Sequence, residues 1–342
     1  MEYQNCLICH SNSATKRNSH LVPSFIIAKI CSYDGSGKRD KEVLFSFDYN
    51  SVNLYLGQLP DTKIEELINN NELTEERINQ LKENPVSLDY IFCPKCEFHL
   101  SKYLESPYSH YLNQQGELEP HIAYFFWLSI VWRMSISNLF GFKLPIELEN
   151  KIGESLHNYL KARDNKEEVE QIVKDCGLTY RLLTSPGFLP ENSSSIFAKF
   201  DETFNVLTIL LGDTILCIPF ENEISKKFKY FGISNSIRRA PSNNGLEPEQ
   251  SKYISIKGLN SINQQLTKIG SKLKINFYWE LVNKFWQQIG LKGSMPSYIF
   301  QDFMHNLCSE EVKLGERHTN EHIYETLMEV LYKYGIIDKG PY

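Results

Sequence analysis

Between Asn205 and Phe220 the chain reads NVLTILLGDTILCIPF, two apolar runs hinged on Gly212-Asp213. Aliphatic and β-branched runs on either side of a two-residue turn predict a β-hairpin over 204–220. A different pattern fills 118–163. The stretch Ile122-Ala-Tyr-Phe-Phe-Trp-Leu-Ser-Ile-Val-Trp132 is apolar all round, which predicts a buried helix; it ends at Arg133, well short of the roughly 20 residues that cross a bilayer. After Pro145, Leu148, Ile152, Leu156 and Leu160 recur at every fourth position and predict a second helix packed on the first. Helical spacing resumes from about 258 onward, with Phe277, Trp279, Leu281, Val282 and Trp286 supplying apolar faces. Residues 231–252 are rich in Ser, Asn, Pro and Glu and read as a long polar loop or a segment ordered by a partner.

Towards the N-terminus, Leu21 to Ile30 reads as an apolar strand or helix and 34–42 as a loop. Val43-Leu-Phe-Ser-Phe-Asp48 reads as a short strand, and Thr62 to Asn84 has helical spacing. The whole is an α+β pattern in three parts. Residues 1–115 carry an inserted helical segment at about 34–88, 116–190 form a helical core, and 191–342 form an α+β region with hairpin 204–220 and loop 231–252.

A hydrophobic content of 42% with 13% aromatic residues suits a folded globular chain and argues against disorder. The net charge of −6 argues against a general nucleic-acid coat, so phosphate contacts would fall on local pairs such as Lys16-Arg17 or Arg238-Arg239. The polar N-terminal stretch has no secretory pattern, so a cytoplasmic setting and no membrane partner are expected.

The eight cysteines divide into two groups. Cys31, Cys176, Cys217 and Cys308 stand alone among apolar neighbours and read as core residues. Cys6/Cys9 and Cys93/Cys96 form two C-x-x-C pairs, and two knuckle turns aimed at one point supply the four thiolates of a tetrahedral zinc site. A redox role would place a pair at the start of a helix inside a βαβ unit, whereas HSNSATKRNS follows the first pair. Structural Zn2+ on Cys6, Cys9, Cys93 and Cys96 is the expectation. Closing the long loop between the pairs costs only a logarithm of its length.

A knuckle, a hairpin-like section and a second knuckle entering a helix make up a treble clef of the ββα-metal type. On this scaffold Asn18-Ser19-His20-Leu21-Val22-Pro23 and Cys93-Pro-Lys-Cys-Glu97 resemble the opening and closing motifs of HNH endonucleases. The resemblance covers roughly the first 105 residues. It implies His20 as the general base and Glu97 as a ligand of a catalytic Mg2+ or Mn2+, with Asp89 nearest the central asparagine slot and Asn84 or Asn53 as other choices. Lys16 and Arg17 would then touch nucleic acid, DNA rather than RNA. Ser19 stands where the family commonly has aspartate, Glu97 replaces the closing histidine and Leu100 a frequent lysine. With Glu105 and the run Trp127-Leu-Ser-Ile-Val-Trp-Arg133, the set is similar to a group of bacterial HNH-like proteins suspected of roles in defence against phage or plasmids.

On a helix beginning near Cys96, Glu97 and His99 lie about 200° apart and cannot easily share one metal. Glu97 and Glu105 are closer in face but about 12 Å apart along the axis, so Glu105 reads as a supporting residue, a partner for Arg133 or plain surface. Arg133, a charge at the end of an apolar run, calls for such a partner and could brace the zinc module against the helical region. His318 and His322 have metal-binding spacing but no evident third ligand, and read as surface. The function expected is therefore a metal-dependent nuclease or nuclease-like effector. The alternatives are a non-catalytic, zinc-stabilised subunit that binds a protein partner through its C-terminal region, or, third, a DNA-binding regulator.

Overall fold

The expected hairpin lies in the middle of a larger sheet. In the computed structural model, which describes residues 4–30, 42–46, 51–55, 86–114, 116–137, 140–189, 194–221, 223–309 and 320–337, the strands are Ser19–His20 (β1), Glu42–Ser46 (β2), Ser51–Tyr55 (β3), Ser87–Leu88 (β4), Arg181–Thr184 (β5), Ser194–Asp201 (β6), Val206–Leu211 (β7), Thr214–Pro219 (β8) and Ser251–Tyr253 (β9). Seven form one sheet in the order β3-β2-β6-β7-β8-β5-β9, and β1 pairs separately with β4. The large sheet is mixed: β2 runs parallel to β6 and β5 parallel to β9, and the other neighbours are antiparallel. The small sheet expected around 204–220 is thus the centre of a wider one.

The turn explains the register. Leu211 pairs with Thr214, leaving Gly212 and Asp213 as a two-residue loop, and Gly212 takes φ 62°. Positive φ at the first turn position is where such hairpins use glycine. A Cβ there would also come within 2.7 Å of Ile30 Cγ1.

β7 is buried along its whole length, because both faces of the sheet are covered. Alternate residues go to different cores. Leu207, Ile209, Leu216 and Ile218 join one with the helices and the cysteine module; Val206, Leu210, Ile215 and Cys217 join another with Phe228, Ile237, Leu259 and Ile262. That is why neither apolar run alternates with polar residues.

Helices Ser24–Ile30 (α1), Pro94–Leu100 (α2), Ser106–Gln114 (α3), Pro120–Ser137 (α4), Ile146–Ala162 (α5) and Lys166–Cys176 (α6) build the first core, with a π-helical turn at Ser101–Glu105 joining α2 to α3. As its pattern predicts, α4 is buried on all sides from Ala123 to Ser135. The polar stretch after Ser234–Arg238 (α7) is not a free loop. Asn243 exchanges backbone hydrogen bonds with Tyr180, and Glu249 enters the core, where Oε1 accepts from Tyr108 Oη (2.8 Å) and Oε2 from Trp127 Nε1 (2.8 Å) and Tyr180 Oη (2.7 Å).

All of this belongs to one compact unit, residues 1–58 and 82–267, so the cysteine module, helical core and sheet are not separate parts. The second unit comprises 59–81 and 268–342. Its described core joins Tyr278, Val282 and Trp286 of Ile256–Gln288 (α8), Ile299, Phe300 and Phe303 of Ser297–Leu307 (α9), and Leu327, Val330 and Leu331 of Asn320–Lys333 (α10). Phe277 and Leu281 stay exposed on α8.

Two expectations are corrected here. Cys308, read as core, is exposed just past the end of α9, and His322, read as surface, is buried on the inner side of α10. The expected helix over 62–84, the expected 34–42 loop except Glu42, which begins β2, and Cys31, Asn84 and His318 lie outside the described residues, as does the side chain of Asn53. No helix among the described residues is long and apolar enough to cross a membrane.

Glu249 provides a test of the packing. Glu249→Leu orphans three buried donors and should cost about 3 kcal/mol or more in urea unfolding. Burial holds the Glu249 carboxyl above the usual carboxylate range, so the folded chain keeps that proton to higher pH than the unfolded chain. Its contribution is therefore full at acid pH and falls as pH rises through the folded-state value. Glu249→Gln should remove that fall, so wild type weakens relative to the variant as pH rises from below the usual carboxylate range through the raised folded-state value.

Candidate metal centre and the carboxylate cluster beside it

The two C-x-x-C pairs meet. The sulfur atoms of Cys6, Cys9, Cys93 and Cys96 all lie within 4.8 Å of one another, and Cys9 Sγ is 4.0 Å from Cys93 Sγ although the two are 84 positions apart. Zinc–sulfur bonds of about 2.3 Å in a tetrahedron set the sulfurs roughly 3.8 Å apart, so the cluster fits a zinc ion with little adjustment. Each knuckle is shaped by its own backbone. His10 N donates to Cys6 O with His10 at φ 52°, while Cys96 N points at Cys93 Sγ (3.4 Å) at the start of α2. Asn12 Nδ2 approaches Cys93 Sγ at 3.7 Å from the other knuckle.

Backbone bonds join the halves: Leu7 N to Ile91 O, Lys16 N to Phe92 O and Tyr90 N to Lys16 O. The Cys6 thiol is drawn down to about 4, chiefly by its hydrogen bond with Cys96, whose own thiol is raised by the same contact. Buried thiols this close share protons unevenly, and a dication that accepts all four as thiolates removes the conflict.

β1 and β4 form the short ladder beside this centre, with Ser19 opposite Leu88 and His20 opposite Ser87. His20, the expected base, is half-buried at the end of β1, and its carbonyl oxygen accepts from Arg133 Nη1 (2.8 Å). Arg133 is buried in α4 and completes its hydrogen bonds with Ser129 O, Ser129 Oγ and Glu105 Oε1, the last at 2.7 Å. Arg133 thus ties α4 to the strand carrying His20 and to the helix that leaves the second knuckle.

The π turn brings Glu105 into reach. In a regular α-helix eight residues would leave Glu105 about 80° around from Glu97. The wider turn at Ser101–Glu105 absorbs this excess, and the two carboxylates interact electrostatically beside Arg133. Burial pushes the Glu97 carboxyl above its usual range, opposed by Arg133, by the nearby Ser19 hydroxyl and by Lys16, while Glu105 raises it further. Even so, Glu97 Oε2 and Ser19 Oγ are buried without a hydrogen-bond partner among the described residues.

The remaining expected residues divide by position. Lys16 lies near enough to Glu97 to favour its ionised form, a role its exposed backbone neighbourhood gave no hint of. Arg17 instead holds its guanidinium against Tyr90, with Nε donating to the phenol oxygen. Asp89 Oδ1 accepts from Asn18 N (2.7 Å) and fixes the positive-φ turn that enters β1. His99 faces away from Glu97, edge-on to Tyr103 and near Arg163, as the helical angle required. Arg238 is committed to the carbonyl oxygens of Ser225 and Phe228, leaving Arg239 as the exposed member of that pair.

The purified chain should hold about one zinc ion by elemental analysis, and Cys96→Ser should lose it together with a large part of the thermal stability, as should treatment with a strong chelator. Arg133→Met should cost about 3 kcal/mol or more because Glu105 and the His20 carbonyl lose their donor; adding Glu105→Gln should recover part of the loss in equilibrium unfolding. Compared with models of known protein families, with curated proteins and with solved structures, the chain matches none, so the reading of this site rests on its own residues.

Proposed function

We propose that the chain is a metal-dependent phosphodiester hydrolase of the HNH type, acting on DNA, in which zinc on Cys6, Cys9, Cys93 and Cys96 is structural. The observation that carries this reading is the Glu97 carboxylate, buried beside Glu105 with one oxygen unpartnered, next to a strand whose last residue is His20. A buried carboxyl with a spare oxygen, once ionised by an arriving cation, is a hard donor suited to Mg2+ or Mn2+. When bound, such a cation supplies charge stabilisation for the pentacovalent phosphorane and its leaving oxygen.

The chain's own contribution is positioning and proton transfer. His20 takes a proton from the water that attacks phosphorus, and the P–O bond opposite breaks. Arg133 holds the His20 backbone in place, and Glu105, paired with Arg133, sets the charge next to Glu97. Lys16 supports the ionised carboxylate.

A second reading follows from the Arg133–Glu105 ion pair, which already balances one of the two carboxylates. On that reading the cluster is a brace and the chain a zinc-stapled subunit that binds a protein partner through its C-terminal region. One experiment separates them. Zinc-loaded protein with added Mg2+ or Mn2+ should nick plasmid DNA, His20→Ala should lower the rate by about 100-fold or more at unchanged zinc content, and Glu97→Gln should raise the metal concentration required. Folded, zinc-replete protein that cuts neither DNA nor RNA with any divalent ion would sink the hydrolase reading and leave the brace.

A further inference from the structure

The helix that carries Glu97 also carries chemistry on its opposite side. Lys95 and His99 sit one turn apart on α2, and His157 and Lys161 sit one turn apart on α5. With Arg163, just past α5, they line an open cleft of about 540 Å³ that also takes in Cys9, Ser11 and Asn12 of the first knuckle and Cys96 of the second, so the candidate metal centre forms part of its wall. Among the described residues no carboxylate lines it. Both imidazoles feel the crowding: beyond the effect of burial, Arg163, Lys95 and Lys102 disfavour a charge on His99, and Lys161 and His10 disfavour one on His157.

Arg163 is held in place. Its guanidinium lies 4.1 Å from the Tyr103 ring centre, Nη1 donates to Leu160 O (2.6 Å), and Nη2 is 3.4 Å from the exposed Asp164 carboxylate. Its Nε is buried without a partner among the described residues.

We propose that this cleft binds a small molecule carrying two or more phosphate groups. A planar guanidinium and two ammonium groups carried into one cleft by separate helices suit phosphate oxygens. The volume is that of a small-molecule site. A nucleic-acid strand is the poorer fit. Lys95 and His99 lie about 160° around α2 from Glu97, so a strand with its scissile phosphate at Glu97 does not run on into the cleft. Among the described residues the lining also has none of the phenyl, phenol and indole faces on which single strands stack. The proposal needs no activity at His20 and stands or falls separately from the hydrolase reading.

The test is calorimetric titration of the full, zinc-loaded chain with inorganic tripolyphosphate, and in parallel with a short single-stranded DNA. Tripolyphosphate should bind saturably at one site, His20→Ala should bind it like wild type, and Lys95→Gln/Lys161→Gln should weaken it by about tenfold or more with zinc content and melting temperature kept. If the double variant loses zinc, Lys161→Gln alone, exposed on α5 and away from the metal helix, replaces it and should still weaken binding. Absence of saturable binding, or equal binding by wild type and variant, overturns the proposal. So does DNA binding through these lysines without tripolyphosphate binding, which would make the cleft a nucleic-acid track.

Discussion

A guanidinium buried in the middle of an apolar helix sets the terms for the rest of the first unit. Arg133 is almost wholly removed from solvent, and a charge so placed is tolerated only if its donors are met. Four acceptors meet them: the carbonyl and hydroxyl of Ser129 one turn earlier, the carbonyl of His20 and the carboxylate of Glu105. Two of these lie far away in sequence. Satisfying Arg133 therefore requires β1 to end against α4 and the helix after the second knuckle to turn Glu105 inward, which it does by widening at Ser101–Glu105. The helix distortion, the strand end and the acid cluster are consequences of one buried charge.

The cysteine centre and the sheet frame that interaction from two sides. Residues 5–17 and 90–92 are stitched by backbone bonds and four converging sulfurs, which fixes where α2 starts and so where Glu97 and Glu105 fall. On the other side, α4 packs in the core that includes the Leu207, Ile209 and Leu216 face of the sheet, and Glu249 takes the donors of Tyr108, Trp127 and Tyr180. Tyr108 and Trp127 belong to the two helices that Arg133 and Glu105 join. The same pair of helices is thus held at one level by a buried cation and at another by a buried carboxyl group, each satisfied locally rather than by the other.

What could be read from sequence depended on whether the signal was local. The β7–β8 hairpin, α4 and the four cysteine ligands carry their cause within a few residues: a Gly-Asp turn, an unbroken apolar run, a C-x-x-C spacing. The seven-stranded sheet does not, because β2 joins β6 in parallel across about 150 positions, and such pairing leaves no mark in either strand. Glu249 was hidden for a similar reason. A single acid in a Ser/Asn/Pro-rich stretch looks solvated until the three donors that meet it are known. Asp89 sits near the slot that the motif suggested, but its carboxylate is used on the Asn18 amide, a contact set by the turn rather than by any motif. The end of α9 left Cys308 outside and the face of α10 turned His322 inward, both decided by packing in the second unit.

Charge is separated around the α2 helix in a way that bears on what the centre can do. Glu97 faces Glu105 and Arg133, while Lys95 and His99 face a cleft that no carboxylate among the described residues lines. The candidate metal centre borders that cleft, since Cys9 and Cys96 line it, and four thiolates on one dication would be negative in sum. An anion in the cleft is screened from Glu97 by the helix itself, and a cation at Glu97 is likewise kept from the lysines. One short helix, anchored by Cys93 at its N-cap and Cys96 within it, therefore offers opposite electrostatic environments on its two sides. Placing both on the same face would let Lys95 neutralise Glu97 directly and leave neither free for a ligand.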